Sequence, residues 1–162
     1  MGGPAEIDGE IHDECDNFFE SVFTEEGVTY HTAEQYFQCQ KTTNTVDFER
    51  ILKTNGPLAS WSMGNQIKLR PDWEEIKVQK MYHGNLLRLS QNPDLAAKLC
   101  KTQGDIVFTG STPFWNKWNG LIMERIRAEL KGEERTEQDI KRAEEITQIM
   151  EEYALKHSKN KK

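Results

Sequence analysis

Three side chains between residues 30 and 41 have types and a spacing suited to chemistry. Glu34, Gln38 and Lys41 occupy positions i, i+4 and i+7, so on a helix they project from one face. A carboxylate can transfer a proton, and a neutral amine can act as a nucleophile. The same residue types also fit an ordinary helix whose charges face water, because charged residues usually lie on solvated faces.

The neighbouring residues are those needed to hold such a helix. Residues 27–30 form a short extended run, and Thr32 is a suitable N-cap for the helix that follows. Ala33, Tyr36 and Phe37 add apolar surface beside the three polar side chains. The sequence therefore predicts an extended segment leading into a helix that begins after Thr32.

The composition limits the classes of protein to consider. The chain has 162 residues and a mean hydropathy of -0.79, which fits one domain with a well-solvated surface. A net charge of -6 argues against a broad nucleic-acid groove but leaves open a pocket for one nucleotide or one modified base. No stretch approaches the roughly 20 apolar residues of a membrane span, and the polar first residues lead us to expect no signal peptide.

The cysteines indicate the redox setting. Cys15, Cys39 and Cys100 are isolated and form neither a Cys-x-x-Cys pair nor a cluster with histidine. We therefore expect no disulfide framework and no metal site. A reduced, intracellular setting fits best, cytoplasmic with a nuclear location left open.

Four segments differ in composition along the chain. Residues 1–17 are polar and contain Gly, Pro and acids, which predicts a flexible N-terminal arm. Residues 18–132 carry most of the aromatic residues and form the predicted domain. Residues 133–156 predict a charged amphipathic C-terminal helix, and residues 157–162 a basic tail. The apolar stripe of that helix consists of Ile140, Ala143, Ile146 and Met150.

Helix signals divide the domain further. Residues 44–53 are predicted to form a helix whose inward side chains are Val46, Ile51 and Leu52. A longer helix is predicted over residues 71–90, because a proline near its first turn is followed by an apolar stripe. Asn92-Pro93 ends it, and Asp94 is predicted to cap a shorter helix.

Two predicted non-helical segments are candidates for ligand contacts. Residues 63–65 are predicted to form a turn in which Gly64 allows a close backbone approach. Residues 105–110 have strand composition, and residues 111–120 are predicted to be a loop with two Trp and two Asn. Amides and indole rings in a loop suit a nucleotide or sugar, whereas packing of the indoles against the core is the alternative.

Several sequence elements follow one another in a characteristic order. They are Phe19-x-Ser21-Val22-Phe23, the run Ala33-Glu34-Gln35-Tyr36-Phe37-Gln38-Cys39-Gln40-Lys41, Met63-Gly64, Trp73-x-x-x-Lys77-x-x-x-Met81, Asn92-Pro93, and Phe114-Trp115 through Asn119-Gly120. In this order they resemble the NADAR family, also called YbiA-like, over about residues 18–131. The chain departs from the family pattern at Val22, where the family has Asn, and at Thr112, where it usually has Asp. The Gly-rich stretch after Trp115 is also shortened.

The resemblance implies a fold and an activity. The fold is a compact α+β domain, mostly helical with a few short strands, in which residues 18–132 form the catalytic domain. The activity is an N-glycosidase that hydrolyses an N-ribosidic bond, without a cofactor or metal. The implied substrate is ADP-ribose on a guanine base of nucleic acid or nucleotides. Two alternatives stay open: hydrolysis of riboflavin-pathway ribosylamino-pyrimidine intermediates, and a non-catalytic module that binds ADP-ribose or NAD.

The resemblance also implies roles for individual residues. Lys41 matches the lysine proposed in the family to form a Schiff base with C1 of the ribose. The carboxylate of Glu34 could serve as acid/base or as the charge stabiliser, and our hypothesis assigns it the acid/base role. Because Schiff-base formation requires a neutral amine, we expect Lys41 to be partly desolvated, with a pKa below the free value of about 10.4. The residues expected to bind substrate are Phe19, Ser21, Tyr36, Gln38, Gly64, Asn65, Trp73, Trp115, Asn116 and Asn119.

Overall fold

Helices dominate the architecture, and short strands occur at two places. The computed structural model describes residues 2–158. Within them the strands are β1 (Ala5–Ile7), β2 (Glu10–His12), β3 (Phe23–Glu25), β4 (Val28–Tyr30) and β5 (Val107–Phe108). The helices are α1 (Ala33–Cys39), α2 (Thr45–Leu52), α3 (Pro57–Gly64), α4 (Trp73–Ser90), α5 (Pro93–Cys100), α6 (Pro113–Leu130) and α7 (Glu137–Lys156). The fold is therefore α+β and mostly helical, as predicted.

The N-terminal segment is part of the folded domain, so the prediction of a flexible arm over residues 1–17 is wrong. Strand β1 pairs antiparallel with both β2 and β5, which gives the order β2-β1-β5. Ala5 and Ile7 are both 0% exposed, whereas Glu6 between them is exposed. A strand that buries alternate residues and gains two partners is held in place, although its sequence is polar.

The second pair of strands is a hairpin that leads into α1. Phe23 of β3 lies opposite Tyr30 of β4. The turn between the strands uses Glu26 and Gly27, both with positive φ, at 50° and 81°. The extended run predicted over residues 27–30 is confirmed by β4, which ends two residues before the N-cap of α1.

Two hydrophobic clusters form the core. The larger lies among α4, α6, α7 and the three-stranded sheet, and its fully buried members include Ile7, Met81, Leu89, Ile122, Met123, Ile126 and Ile146. The smaller holds the β3–β4 hairpin against α1 and α2, with Phe23, Tyr30, Tyr36, Cys39 and Ile51 buried. Helix α1 contacts α2, α3 and α4, so it is enclosed on several sides.

Three details of the helices differ from prediction. Val46 was predicted to face inward but is 65% exposed, since it lies in the first turn of α2, and Phe48 packs against the core instead. Gly64 is the last residue of α3 rather than the centre of a turn. The N-cap of α5 is Asn92, and Asp94 lies in the first turn of that helix.

The predicted loop over residues 111–120 is largely the first half of α6, so that prediction is wrong. Thr112 is the N-cap, and its hydroxyl accepts a hydrogen bond from the backbone N of Trp115 at 3.2 Å. Pro113 is well placed as the first helical residue. Thr112-Pro113 is therefore a helix start, which outweighs the loop-like composition of the residues after it.

The predicted C-terminal helix is α7. A capping box at Thr136 and Asp139 starts it, and the residues from 132 to 134 form a 3-10 turn before it. The predicted stripe is buried at Ala143, Ile146 and Met150, whereas Ile140 is 40% exposed. Most of the predicted tail, residues 159–162, lies outside the described residues. No helix within residues 2–158 is long and apolar enough to cross a membrane.

Candidate active site

Helix α1 is buried along its whole length, which gives its polar residues an unusual setting. Glu34 is 0% exposed and Gln38 is 1% exposed, so neither side chain faces water as on an ordinary surface helix. The side-chain amide of Gln38 donates a hydrogen bond to the Glu34 carboxylate. The hydroxyl of Thr32 accepts from the backbone N of Gln35 at 3.0 Å, which confirms the predicted N-cap.

Gly64 of α3 packs directly on the Gln38 side chain. A Cβ atom built on Gly64 would lie 1.8 Å from Oε1 and 2.7 Å from Cδ of Gln38. Gly64 was expected to allow a close approach, and the partner in that approach is Gln38. Within residues 2–158, Gln38 Oε1 is buried and accepts no hydrogen bond. The amide of Gln38 is thus held between Gly64 and the Glu34 carboxylate.

Lys41 lies just after α1, in the turn that follows the C-cap Gln40. Its backbone carbonyl accepts a hydrogen bond from the backbone N of Arg70 at 2.8 Å, which anchors the turn. Its amine lies 6.0 Å from the centre of the Phe37 ring. Burial lowers the pKa of Lys41, the positive charge of Lys77 lowers it further, and the carboxylate of Glu34 opposes both effects.

The net effect of burial and of these two charges is to lower the pKa of Lys41, so its amine is neutral more often than that of a free lysine. Burial is the largest of the three effects, and the direction of the shift agrees with the sequence expectation. The charge of Glu34 acts on the Lys41 amine, so the two residues belong to one electrostatic site. The carboxylate of Glu34 thus influences the amine of Lys41, and Lys41 follows α1 rather than lying on it.

Aromatic rings form the apolar wall of this site. The ring of Phe37 lies 5.0 Å from that of Trp73 and 5.3 Å from that of Trp115, measured between centroids. Trp73 is 5% exposed, whereas Trp115 is half-buried. Two of the predicted substrate-binding residues thus pack on the ring of Phe37, whose centre is 6.0 Å from the Lys41 amine, and Trp115 is half-buried.

Lys77 also belongs to this site, although the sequence analysis assigned it no role. Its amine lies 2.8 Å from a carboxylate oxygen of Glu74 and 4.6 Å from the centre of the Phe114 ring. Its side chain is only 17% exposed. The signal that could have identified it is the Trp73-x-x-x-Lys77 spacing, which puts both side chains on one face of α4.

Other predicted substrate-binding residues lie in the interior or support the backbone. Tyr36 is 0% exposed and packs on the rings of Phe23 and Tyr30, so it lies in the core. Ser21 is buried, and its hydroxyl accepts a hydrogen bond from the guanidinium of Arg88 at 3.1 Å. Phe19 is 37% exposed and lines a surface cavity of about 290 Å³ beside the start of α5.

Arg88 is a second residue that the sequence analysis missed. It is 0% exposed and donates to the backbone O of Glu14 at 2.8 Å and to Asn85 Oδ1 at 2.8 Å. Burial lowers the pKa of Arg88 to about 10. Its bonds fix the segment from Glu14 to Ser21, in which the backbone O of Asn17 accepts from the backbone N of Glu34. Arg88 therefore supports the start of α1 indirectly.

The three predicted asparagines have different surroundings. Asn116 makes hydrogen bonds with the backbone N and O of Ser111, at 2.9 and 3.2 Å, and lines a cavity of about 480 Å³ against β5. Asn119 is 4% exposed within α6. Asn65 is exposed at the C-cap of α3. Of the three, Asn116 is already engaged in shaping the start of α6.

A metal-binding cluster or a surface cavity near Glu34 and Lys41 would add to the chemistry of the site. Among the residues that the structure describes, no group of three or more His, Cys, Asp or Glu side chains could hold a metal ion. A cavity of about 730 Å³ lies between α6 and α7 and is lined by charged residues of both helices. The chemistry available at the site is thus that of an amine, a carboxylate and an aromatic wall.

The sequence of this chain is similar to a known domain family and to several curated proteins. The model of the NADAR domain matches residues 7–118. The curated protein named N-glycosidase YbiA of Shigella boydii serotype 4 (strain Sb227) is 35% identical over 79 residues, which are 48% of this chain and 49% of that protein. Its counterpart from Escherichia coli (strain K12) is 33% identical over the same length and the same shares. The chain spans about half the length of these relatives.

Two further matches extend over more of the chain. The protein named N-glycosidase R617 of Acanthamoeba polyphaga mimivirus is 30% identical over 115 residues, which are 67% of each chain. The NMR structure of the E. coli protein YbiA superimposes with a TM-score of 0.68 at 25% identity and covers 75% of this chain and 80% of that one. The residues matched by the NADAR model include α1, Trp73 and Trp115.

Proposed function

The chain belongs to the NADAR family, and from this premise we propose that it is an N-glycosidase that hydrolyses an N-ribosidic bond. The observation that carries the proposal is a half-buried amine, Lys41, whose pKa is lowered by burial and which feels the charge of the fully buried carboxylate of Glu34. The names of the bacterial and viral relatives support the reaction class.

The proposed reaction proceeds through a covalent intermediate on Lys41. The neutral amine forms a bond to C1′ of the ribose while the bond from C1′ to the base nitrogen breaks, and that nitrogen keeps the electron pair and takes up a proton. Opening of the sugar ring gives a protonated Schiff base between C1′ and Lys41. Water then adds to C1′, the amine leaves, and free sugar is released.

Glu34 supplies the negative charge for these steps. Positive charge develops at C1′ as the base departs, and a carboxylate shielded from bulk water stabilises such charge more strongly than one in solvent. The hydrogen bond from Gln38 fixes the carboxylate on α1. Glu34 also serves as the acid/base that exchanges a proton with the departing base or the incoming water.

The proposed substrate is ADP-ribose attached to a guanine base. Two observations support an anionic, base-containing riboside: the positive charge of Lys77 acts at Lys41, and the half-buried indole of Trp115 offers a surface for stacking. Ribosylamino-pyrimidine intermediates of the riboflavin pathway are the second candidate substrate, because they also carry an N-ribosidic bond. A reader of ADP-ribose would have no need of a desolvated amine beside a carboxylate.

Borohydride trapping tests the covalent step. Reduction during turnover of ADP-ribosylated guanine oligonucleotide converts the Schiff base into a stable amine, so mass spectrometry is expected to find the adduct on Lys41. Lys41→Arg is expected to lose both adduct and product, whereas the exposed control Lys68→Arg keeps both. Full activity of Lys41→Arg would rule out the Schiff base, and saturable binding without product would identify a reader.

A further inference from the structure

Helix α7 lies beyond the residues that the family model matches, yet it packs on both helices that carry the aromatic wall. The match ends at residue 118, whereas α7 begins at Glu137. The helix contacts α6, which carries Trp115, and α4, which carries Trp73 and Lys77. Residues of α7 can therefore support the helices that carry the site.

Tyr153 is the residue of α7 that reaches the aromatic side chains of α6. Its ring centroid lies 5.3 Å from that of Trp118 and 5.9 Å from that of Phe114, both in edge-to-face geometry. His157 stacks on the same ring at 4.1 Å. The side chain is half-buried. Burial raises the pKa of the Tyr153 hydroxyl to about 12, so the residue is neutral at physiological pH.

Phe114 connects Tyr153 to the candidate site by two routes. Its ring lies 5.0 Å from that of Trp115, which in turn lies 5.3 Å from Phe37 beside Lys41. The amine of Lys77 lies 4.6 Å from the centre of the Phe114 ring, and the charge of Lys77 acts on Lys41. The position of one phenyl ring thus affects both the apolar wall and the neighbouring positive charge.

We propose that Tyr153 of α7 is a positioning residue for the candidate site, acting through Phe114 on Trp115 and Lys77. The ring of Tyr153 provides this support, because its contacts are with other rings. When a packed ring is removed, the side chains around the cavity move partway into it. Without the Tyr153 ring, Phe114 shifts, the wall beside Lys41 loosens, and water reaches the amine. The inference rests on the proposed function in one respect, since it takes Lys41 as the reactive group.

The test measures the amine of Lys41 directly and needs no substrate. Competitive acetylation with isotope-labelled acetic anhydride, resolved by peptide mass spectrometry, gives the reactivity of each lysine as a function of pH. In Tyr153→Leu we expect the apparent pKa of Lys41 to rise by about half a unit, which leaves roughly threefold less neutral amine at neutral pH. Exposed Lys68 serves as the internal reference and should not change.

Two variants separate positioning from general loss of stability. Tyr153→Phe keeps the ring and is expected to retain the wild-type profile of Lys41. Ile146→Val shortens a side chain of α7 that is 0% exposed and makes none of these ring contacts, so it is expected to lower stability without moving the profile. If Tyr153→Leu does not fold, Phe114→Leu tests the same connection and is expected to raise the pKa of Lys41.

The outcomes distinguish this inference from the proposed function. An unchanged Lys41 profile in both Tyr153→Leu and Phe114→Leu would overturn the inference, whatever the borohydride experiment shows. An equal shift in Ile146→Val would overturn it as well, because the effect would then reflect stability alone. A shift confined to the two ring-deleting variants would support the inference even if no Schiff base can be trapped in the wild-type protein.

Discussion

The contact between Gly64 and Gln38 leads to a sharp prediction, because alanine should destabilise a helix that it would normally stabilise. Gly64 lies within α3 and is not among the described residues with positive φ. Replacing a glycine in a helix by alanine normally stabilises by up to about 1 kcal/mol. At Gly64 the new Cβ would lie 1.8 Å from Gln38 Oε1. The amide must therefore move, and we expect it to give up its bond to Glu34.

The size of the effect follows from what is lost. A hydrogen bond to a charged group contributes about 1.5–3 kcal/mol, and overpacking costs roughly 1–3 kcal/mol. After subtracting the gain in helix propensity, we expect Gly64→Ala to lower the free energy of unfolding by about 3 kcal/mol. For a domain of this size this corresponds to a fall in Tm of roughly 6–12 °C.

Chemical denaturation of four proteins measures the contact directly. They are the wild type, Gly64→Ala, Gln38→Ala and the double variant. Removing the Gln38 amide makes room for the new methyl group, so we expect a coupling energy between the two sites of about 1–3 kcal/mol. Ser62→Ala, at an exposed position of the same helix, is the matched control and should change stability by less than about 0.5 kcal/mol.

The same variant has an expected effect on activity, because Gln38 fixes the Glu34 carboxylate. Loss of a positioned acid/base costs about 10² to 10⁴ in rate, so Gly64→Ala should lower turnover by roughly 10²-fold under conditions where it is folded. A stability equal to or above that of the wild type, together with no coupling to Gln38→Ala, would refute the packing argument. Normal turnover in a destabilised variant would refute only the catalytic part.

Removing either of two charges that act on Lys41 is predicted to shift the pKa of Lys41, in opposite directions. Glu34→Gln removes the carboxylate that raises the pKa of Lys41, so the pKa falls and acetylation of Lys41 at neutral pH increases. Glycosidase turnover nevertheless drops by about 10² to 10⁴, because the acid/base is lost. Lys77→Met removes a charge that lowers the pKa of Lys41, so the pKa rises and the ascending limb of the pH–rate profile, where Lys41 loses its proton, moves to higher pH. If both variants moved the pKa of Lys41 in the same direction, this electrostatic account would be wrong.

Much of the fold follows from local sequence signals. Thr32 caps α1 as predicted, and α4 runs from Trp73 to Ser90 close to the predicted bounds. These elements depend on caps, prolines and apolar spacing within one or two turns, which a single sequence displays. The start of α6 was missed because composition outweighed the Thr112-Pro113 signal, although that signal was also local.

What the sequence could not show depends on contacts between distant segments. Tyr36 lies in the core because the β3–β4 hairpin covers it, and nothing in the spacing of α1 reveals that cover. The burial of Glu34 and the approach of Gly64 to Gln38 likewise depend on how α3 packs on α1. Chemistry-bearing residue types were therefore identified from the sequence, whereas their surroundings required the structure.

The pairing of β1 with β5 also determines the order in which the chain can fold. Ala5 lies opposite Phe108, so about a hundred residues separate the two partners. A two-stranded hairpin of three-residue strands is marginal by itself. During synthesis β1 therefore cannot pair with β5 until residues 107 and 108 have left the ribosome, and the apolar side chains of β1 lack this cover until then. Closure of this sheet is expected to be a late step, governed by loop entropy rather than by local propensity.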